Sequence, residues 1–185
     1  MKNSRLAARY AKALYEVADS MQQVDVVFNN MNDILEITTS HKDVAAILAN
    51  PLIRNDKKIK ILDTLLEDKV SNIVIKFINL IIKKNREINL PEISNQFIKL
   101  YYKKNNIMIV DLITSEKIDE TIRGKINALL KKIIDKQILF NEIINKNIIG
   151  GFIIRFDNKQ IDQSLLRKLQ ILQKEFNINL YIKKY

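Results

Sequence analysis

Few residues in this chain are of a type that does chemistry. His41 is the single histidine, set between Ser40 and Lys42. A metal centre or a serine nucleophile needs further ligands, or a placed serine and acid, and no motif supplies them. His41 therefore reads as a solvated loop residue. Gly150-Gly151 could cradle a phosphate, but no lysine followed by Ser or Thr comes after it. No earlier glycine stands at the spacing such a loop requires. Glu142, Asp157 and Asp162 are the acids that could make a general acid–base pair. Asp157 sits in a turn sequence, and Asp162 is placed to cap a helix starting near Leu165. There is no cysteine, which removes thiolate ligands, cysteine nucleophiles and disulfides. The expectation is a binding protein with no catalytic residue, no metal and no cofactor.

Residues 138–164, which hold most of these candidates, differ in pattern from the text on either side. Phe140, Ile143 and Ile144 form a β-branched and aromatic run, and Ile148-Ile149 leads into the glycine pair. Phe152–Phe156 follows as a second strand, closed by Asp157-Asn158-Lys159. Two of the three glycines lie here, where a close backbone approach or a bulge justifies their entropic cost. The expectation is a β-hairpin feeding a capped helix over about 162–176. Before it, 107–113 reads as a strand, and Thr114 or Ser115 caps a helix over about 116–136. The acids Glu116, Asp119 and Glu120 and the bases Lys131, Lys132 and Lys136 suit that helix's dipole. The tail, 178–185, alternates weakly and reads as a last strand or a partner-binding extension.

The chain before Lys104 is helical. Leu6, Tyr10, Ala13, Leu14, Val17 and Met21 recur every three or four residues over 4–21, which makes one apolar stripe. Ala7, Ala8, Ala11 and Ala18 widen the apolar part without bulk, so one side can meet the core closely while another is offered to a partner. A second helix over 22–38 turns Val24, Val27, Phe28, Met31, Ile34 and Leu35 inward. A short third over 43–48 stops before Pro51. A fourth over 56–67 buries Ile59, Leu62, Leu65 and Leu66. The fifth, 71–84, is apolar nearly all round, broken by Lys76 and Asn79. In a bundle of this size every helix meets water somewhere, so such a helix is shared between the core and a partner. Leu90-Pro91-Glu92 opens the sixth, with proline near its first turn. The fold class expected is mainly α. A six-helix N-terminal bundle over 1–104 precedes a small α/β domain with a β-hairpin over 105–185, the polar Lys103-Lys104-Asn105-Asn106 marking the boundary.

The net charge of +10 invites a nucleic-acid reading. Its distribution argues otherwise, because 17 basic and 12 acidic residues precede position 105 and 14 and 9 follow. Each part nets +5 and the lysine doublets are scattered. No apolar run approaches the roughly 18 residues of a membrane span, and residues 1–20 lack a signal peptide's apolar core. A cytoplasmic protein that meets a membrane only through partners is expected.

Arg9-Tyr10-Ala11-Lys12-Ala13-Leu14-Tyr15, the Asn85-Arg86 to Leu90-Pro91-Glu92-Ile93 corner with Phe97, and the set Ile138, Phe140, Ile144, Asn145, Ile148, Gly150-Gly151, Ile154-Arg155 and Ile161-Asp162-Gln163-Ser164 occur in order along the chain. Together they resemble the delta subunit of bacterial F-type ATP synthase, the oligomycin-sensitivity-conferring protein of mitochondria. Arg86, Pro91, Gly150, Gly151, Asp162 and Ser164 stand at its structural signature. The resemblance implies a non-catalytic stator subunit, one copy per complex, at the cytoplasmic face of the bacterial inner membrane. Its first domain binds N-terminal segments of alpha subunits, and its second binds the C-terminal ends of the stalk's b subunits. A helix-in-groove contact needs an apolar groove with anchors at helical spacing. Helices one and five offer Tyr10, Ala13, Leu14, Ile73, Phe77 and Leu80 as its lining, and in the family the positions matching Tyr10 and Ala13 face the alpha segment. Lys76 departs from the pattern, since many members are uncharged or carry an amide there, and the stretch from Asn177 exceeds it. The competing readings are a basic nucleic-acid-binding accessory protein and an enzyme with a pocket near Glu142 and Asp157.

Overall fold

In the computed structural model, which describes residues 4–66 and 70–178, the chain divides into two units, Met1–Asn105 and Asn106–Tyr185. It is mainly helical, with one small four-stranded sheet. The first unit holds α1 (Ser4–Ser20), α2 (Val24–Ser40), α3 (Lys42–Ala49), α4 (Asn55–Leu66), α5 (Asn72–Lys83) and α6 (Leu90–Lys104), with a 3-10 turn at Glu87–Asn89.

Helix α6 carries Leu90, Ile93 and Phe97 fully out of solvent, and both α1 and α2 pack on it. The buried residues of α1 are Ala7, Ala11, Leu14, Tyr15 and Ala18. Three of these five are alanines, which lets the helix axis come close to its neighbours, because interaxial distance follows side-chain size at the contact. Tyr15 extends the contact, with its ring 5.9 Å from that of Phe97. Most of the bulky stripe read along α1 is not core, since Val17 and Met21 are 45% and 55% exposed. Leu65 is likewise exposed, against the expectation that α4 buries it, while Leu62 and Leu66 do lie in the core.

Two polar contacts fix this unit's corners. The Lys58 ammonium, on α4, donates to Leu48 O at 3.1 Å and to Glu87 Oε1 at 2.6 Å. Both side chains of the ion pair are buried, at 2% and 8% exposure, so the end of α3, α4 and the turn before α6 are held by one buried charge pair. On the other side, the ring of Phe28 stacks on Tyr101 at 3.9 Å. The Tyr101 hydroxyl donates to Asp25 Oδ1 at 2.7 Å. That hydrogen bond, aided by burial, pushes the ionisation of Tyr101 up to about 12.

The second unit is built from β1 (Ile107–Thr114), α7 (Glu120–Lys131), β2 (Gln137–Ile144), a 3-10 turn at Lys146–Ile148, β3 (Phe152–Phe156), β4 (Lys159–Asp162) and α8 (Leu165–Ile178). The strand order is β2-β1-β3-β4. β1 runs parallel to β2, the crossover being α7, and antiparallel to β3. A parallel pair needs such a crossover, whereas a tight turn can join only antiparallel neighbours. Side chains alternate between faces. Val110, Leu112, Ile154 and Phe156 meet Ile126, Leu130 and Ile134 in one cluster, and Ile113 and Ile153 meet Ile148 in another.

The hairpin expected within 138–164 is therefore placed differently. β2 and β3 do not pair, because β1 lies between them, and the hairpin is β3–β4 around Asp157 and Asn158. Asp157 takes a left-handed conformation there, with φ 47°, as a turn acid can. Helix α7 is shorter than the expected span at both ends. Thr114 completes β1, paired with Ile144 and Phe152, and its hydroxyl donates to Glu116 O at 2.7 Å, so the N-cap position passes to Asp119. The capping of α8 also shifts. Asp162 Oδ1 accepts from Ser164 N at 2.9 Å, while Ser164 Oγ accepts from Arg167 N at 3.2 Å. The helix cap is thus Ser164, with Asp162 supporting it from the end of β4. The tail reading over 178–185 falls, beyond Ile178, outside the described residues.

Replacing Lys58 by Met leaves the Glu87 carboxylate buried without its cation. That variant should lose about 3–5 kcal/mol of unfolding free energy, as breaking a buried pair does, in a urea titration. Replacing both partners with apolar residues should recover most of the loss. Alkaline titration gives a second check. Because the folded value of Tyr101 lies above its ordinary 10.0, the stability it contributes is complete below pH 10 and is lost as pH rises towards about 12. One tyrosine should ionise last by near-ultraviolet absorbance, and Asp25→Ala should bring that step down.

Candidate functional site

An extended apolar groove lies between α1 and α5. On α5, the residues Val74, Ile78, Ile81 and Ile82 enter the core. The helix is apolar on its other side as well, and there Ile73, Phe77 and Leu80 face the outward stripe of α1. Together with Tyr10, Ala13 and Leu14 they line a groove of about 590 Å³. All six groove residues expected from sequence are thus brought together. Leu14 is 2% exposed and forms the floor, while Ala13 is open to solvent. Tyr10 and Phe77 meet edge to face, with centroids 6.4 Å apart, which joins the two helices across the groove. Val17 and Met21 continue the lining on α1, the same three- and four-residue spacing having marked them in the sequence. Lys76 is the one cation among the lining residues, and Gln23 and Asn72 are its amides.

A second recess, of about 540 Å³, shares Tyr10 and Ala13 with the groove and adds Leu6, Arg5, Arg9 and Arg86. Sequence reading marked Arg86 only as part of a signature and Arg9 only as the start of the Arg9–Tyr15 run, and passed over Arg5. The spacing of four between Arg5 and Arg9, beside the apolar stripe, was the available signal. Arg86 is set by the end of α5, where Asn85 adopts φ 53°. There Asn85 N donates to Ile82 O at 2.9 Å and Arg86 N to Ile81 O at 3.0 Å. This is the paired hydrogen-bond pattern of a left-handed helix C-terminus.

The other signature residues have local structural reasons. Pro91 occupies the first turn of α6, where its missing N–H costs nothing. A Cβ on Gly150 would lie 2.8 Å from Leu165 Cδ1, and one on Gly151, at φ 77°, would lie 2.3 Å from Gln163 O. The glycine pair therefore lets the start of β3 pass against the entry to α8, where Leu165 N donates to Gly150 O at 2.9 Å. Asp162 ionises below the ordinary carboxylate range, chiefly because it hydrogen-bonds to Ser164.

The second unit has its own apolar hollow, of about 630 Å³, between α7 and the sheet. Leu129 and Ile133 stand 57% and 63% exposed at its edge, with Phe152, Ile161 and Lys168 opposite. Along α8, Leu165, Leu169, Leu172 and Phe176 are all exposed at alternating steps of four and three, a stripe of coiled-coil spacing.

Of the acids considered for catalysis, Glu142 and Asp162 are not assembled as a pair. Glu142 pairs in register with Leu112, Leu112 with Ile154, and Ile154 with Ile161. At about 4.8 Å per strand, Glu142 and Asp162 are about 14 Å apart across the sheet. A carboxylate pair acting on one bond works within roughly 5–9.5 Å. Glu142 lies instead 3.6 Å from Arg123. His41 is exposed at the junction of α2 and α3. Among the described residues, no group of three or more His, Cys, Asp or Glu is arranged to hold a metal, and no helix is long and apolar enough to cross a membrane.

A family model described as ATP synthase delta (OSCP) subunit matches residues 6–176. The chain belongs to this family. The ATP synthase subunit delta of Cytophaga hutchinsonii is 35% identical over 176 residues, spanning 95% of this chain and 96% of that one. That of Amoebophilus asiaticus is 29% identical over 180 residues, spanning 97% and 98%. Among solved structures, a chain of the Toxoplasma gondii mitochondrial ATP synthase hexamer has the same fold, with a TM-score of 0.68 at 20% identity over 95% of this chain and 99% of that one. Membership of the delta (OSCP) family makes the chain a non-catalytic part of the ATP synthase stator.

Proposed function

We propose that the first unit acts as the six-helix bundle of the delta family and holds the N-terminal helix of an ATP synthase alpha subunit in the groove between α1 and α5. The second unit holds the C-terminal ends of the b subunits. One copy then braces the catalytic head against the peripheral stalk at the cytoplasmic face of the bacterial inner membrane, touching the membrane only through the complex. The observation that carries this reading is the groove, which gathers Tyr10, Ala13, Leu14, Ile73, Phe77 and Leu80 on an outward surface. An amphipathic helix is the guest such a surface fits, with apolar anchors at steps of three and four. Four such anchors would contribute roughly 6–12 kcal/mol of gross burial. Association itself costs a similar amount, about 4–15 kcal/mol, so one groove makes a contact of modest strength. For the second unit, the hollow edged by Leu129 and Ile133 is an apolar surface open to a stalk helix, beside the exposed stripe of α8. No observation favours the nucleic-acid reading.

Ala13 is exposed, so Ala13→Asp should leave helicity by circular dichroism unchanged. It should weaken binding of a synthetic alpha N-terminal peptide about a hundredfold or more, since covering an unpaired carboxylate costs several kcal/mol. Normal binding by both Ala13→Asp and Phe77→Asp in a calorimetric titration would show that the guest lies elsewhere. For the other unit, Leu129→Asp with Ile133→Asp should abolish capture of a peptide taken from the C-terminal end of the b chain, while leaving the alpha peptide's affinity unchanged.

A further inference from the structure

The chain has seven arginines, and their partners divide them sharply. Arg54 lies 3.7 Å from Asp56, Arg123 3.4 Å from Glu120, and Arg167 3.9 Å from Asp162, and Arg155 donates to Gln160 at 2.8 Å. Arg5, Arg9 and Arg86 have no side-chain partner among the described residues, and these three are the ones that line the recess adjoining the groove. Like charges gathered without an acid repel one another. Here the gathering is imposed by the fold, because Arg5 and Arg9 are four apart on α1 and so share a side of the helix. The backbone of Arg86 is held by the hydrogen bonds that close α5.

The recess and the groove have Tyr10 and Ala13 in common, so a guest helix in the groove runs directly into the recess. The contact of Tyr10 with Phe77 lies towards that end. Met21, Gln23 and Asn72 lie at the other end, where the polar side chains are neutral amides. Lys76 apart, the groove is therefore apolar along its length, with three arginines at one end and only neutral amides at the other. From Tyr10 to Met21 it follows about three turns of α1, about 16 Å at 1.5 Å per residue.

We infer that the recess of Arg5, Arg9 and Arg86 receives a carboxylate of the guest helix and thereby fixes the direction in which that helix lies in the groove. Guanidinium groups match carboxylates in a planar, two-pronged geometry and bind them more specifically than a lysine does. An amphipathic helix alone can often lie either way in an apolar groove, because burial is non-directional. An acid placed about one turn beyond the anchor against Tyr10 removes that ambiguity. This inference rests on the groove being the seat of the alpha helix, and it adds the chemistry at the groove's end.

The test is a calorimetric titration of the full chain with the alpha N-terminal peptide, at low and high salt. The variants are Arg5→Gln/Arg9→Gln/Arg86→Gln and, as a separate control on the groove, Phe77→Asp. The triple variant should bind about tenfold more weakly at low salt, as two exposed charge contacts would give, and should lose most of the wild type's salt dependence. A peptide with its acidic residues changed to the amides should bind wild type as weakly as the parent peptide binds the triple variant. Combining that peptide with the triple variant should produce no further loss. Unchanged affinity and salt dependence in the triple variant, with binding abolished by Phe77→Asp, would overturn the arginine assignment and leave the groove reading intact. Normal binding by Phe77→Asp as well would remove the groove reading itself. A short DNA oligonucleotide that binds wild type tightly, fails to bind the triple variant and leaves peptide affinity untouched would also overturn the assignment, in favour of a phosphate.

Discussion

The small side chains on the inner side of α1 are the constraint on which the first unit's surface depends. Ala7, Ala11 and Ala18 are essentially solvent-free, and their size lets α1 sit deep in the core beside α6. The core on that side is filled by Tyr15 and Leu14, and no room is left for Val17 or Met21. The bulky stripe is thereby turned outward. It meets the outer side of α5, whose inner side is already committed to the core through Val74, Ile78, Ile81 and Ile82. Covering a side chain of that size with apolar partners contributes about 1.5–3 kcal/mol. A chain that leaves several of them clustered in the open has surface reserved for a partner.

The buried pair of Lys58 and Glu87 has a different role. Such pairs add little net stability, since the desolvation of both charges offsets their attraction. They do penalise every arrangement in which one charge is buried alone. Because Lys58 also donates to Leu48 O, the end of α3 and the turn at Glu87–Asn89 must both come to the same point on α4. Arg86 immediately precedes that turn. The contact that anchors one side of Glu87 therefore also limits where the guanidinium of Arg86 can reach.

Much of this was legible in the sequence, and what was not has identifiable causes. Helical spacing located α1, α2, α4 and α5, and a helix apolar on both sides pointed to the shared surface at Ile73, Phe77 and Leu80. Spacing alone did not tell which apolar side of α1 faces inward, because alanine and the larger residues score alike as apolar and only size separates them. Strands were recognised over 107–113, in the run through Phe140, Ile143 and Ile144, and over Phe152–Phe156, where the structure has β1, β2 and β3, yet their neighbours were not. Alternation tells which face a side chain takes and carries nothing about which strand lies alongside. The parallel placement of β1 against β2 follows from the crossover through α7, which sequence order allows but does not require. The Lys58–Glu87 pair was hidden for a related reason, since lysine and glutamate are almost never fully buried unless paired and the two lie 29 positions apart. Arg5 and Arg9 carried a readable signal in their spacing, but their charge was absorbed into a general excess of basic residues.

A brace between two large assemblies does not need a tight grip at either end. Each contact proposed for this chain is a helix-sized apolar surface, gross burial there being comparable with the cost of association. Once one end is attached, however, the other meets its partner at an effective concentration that reaches the millimolar range for short linkages. Two modest contacts then hold together far better than either alone. What such an arrangement does require is that each guest be seated in one orientation, because a helix bound the wrong way round would lead its parent subunit away from the second attachment point. Apolar burial cannot discriminate between the two directions, whereas a charge fixed at one end of a groove can. The arginines beside Tyr10 and Ala13, without a side-chain partner among the described residues, are where this chain has a directional element to offer, and a guest that brings a carboxylate relieves the repulsion between their like charges.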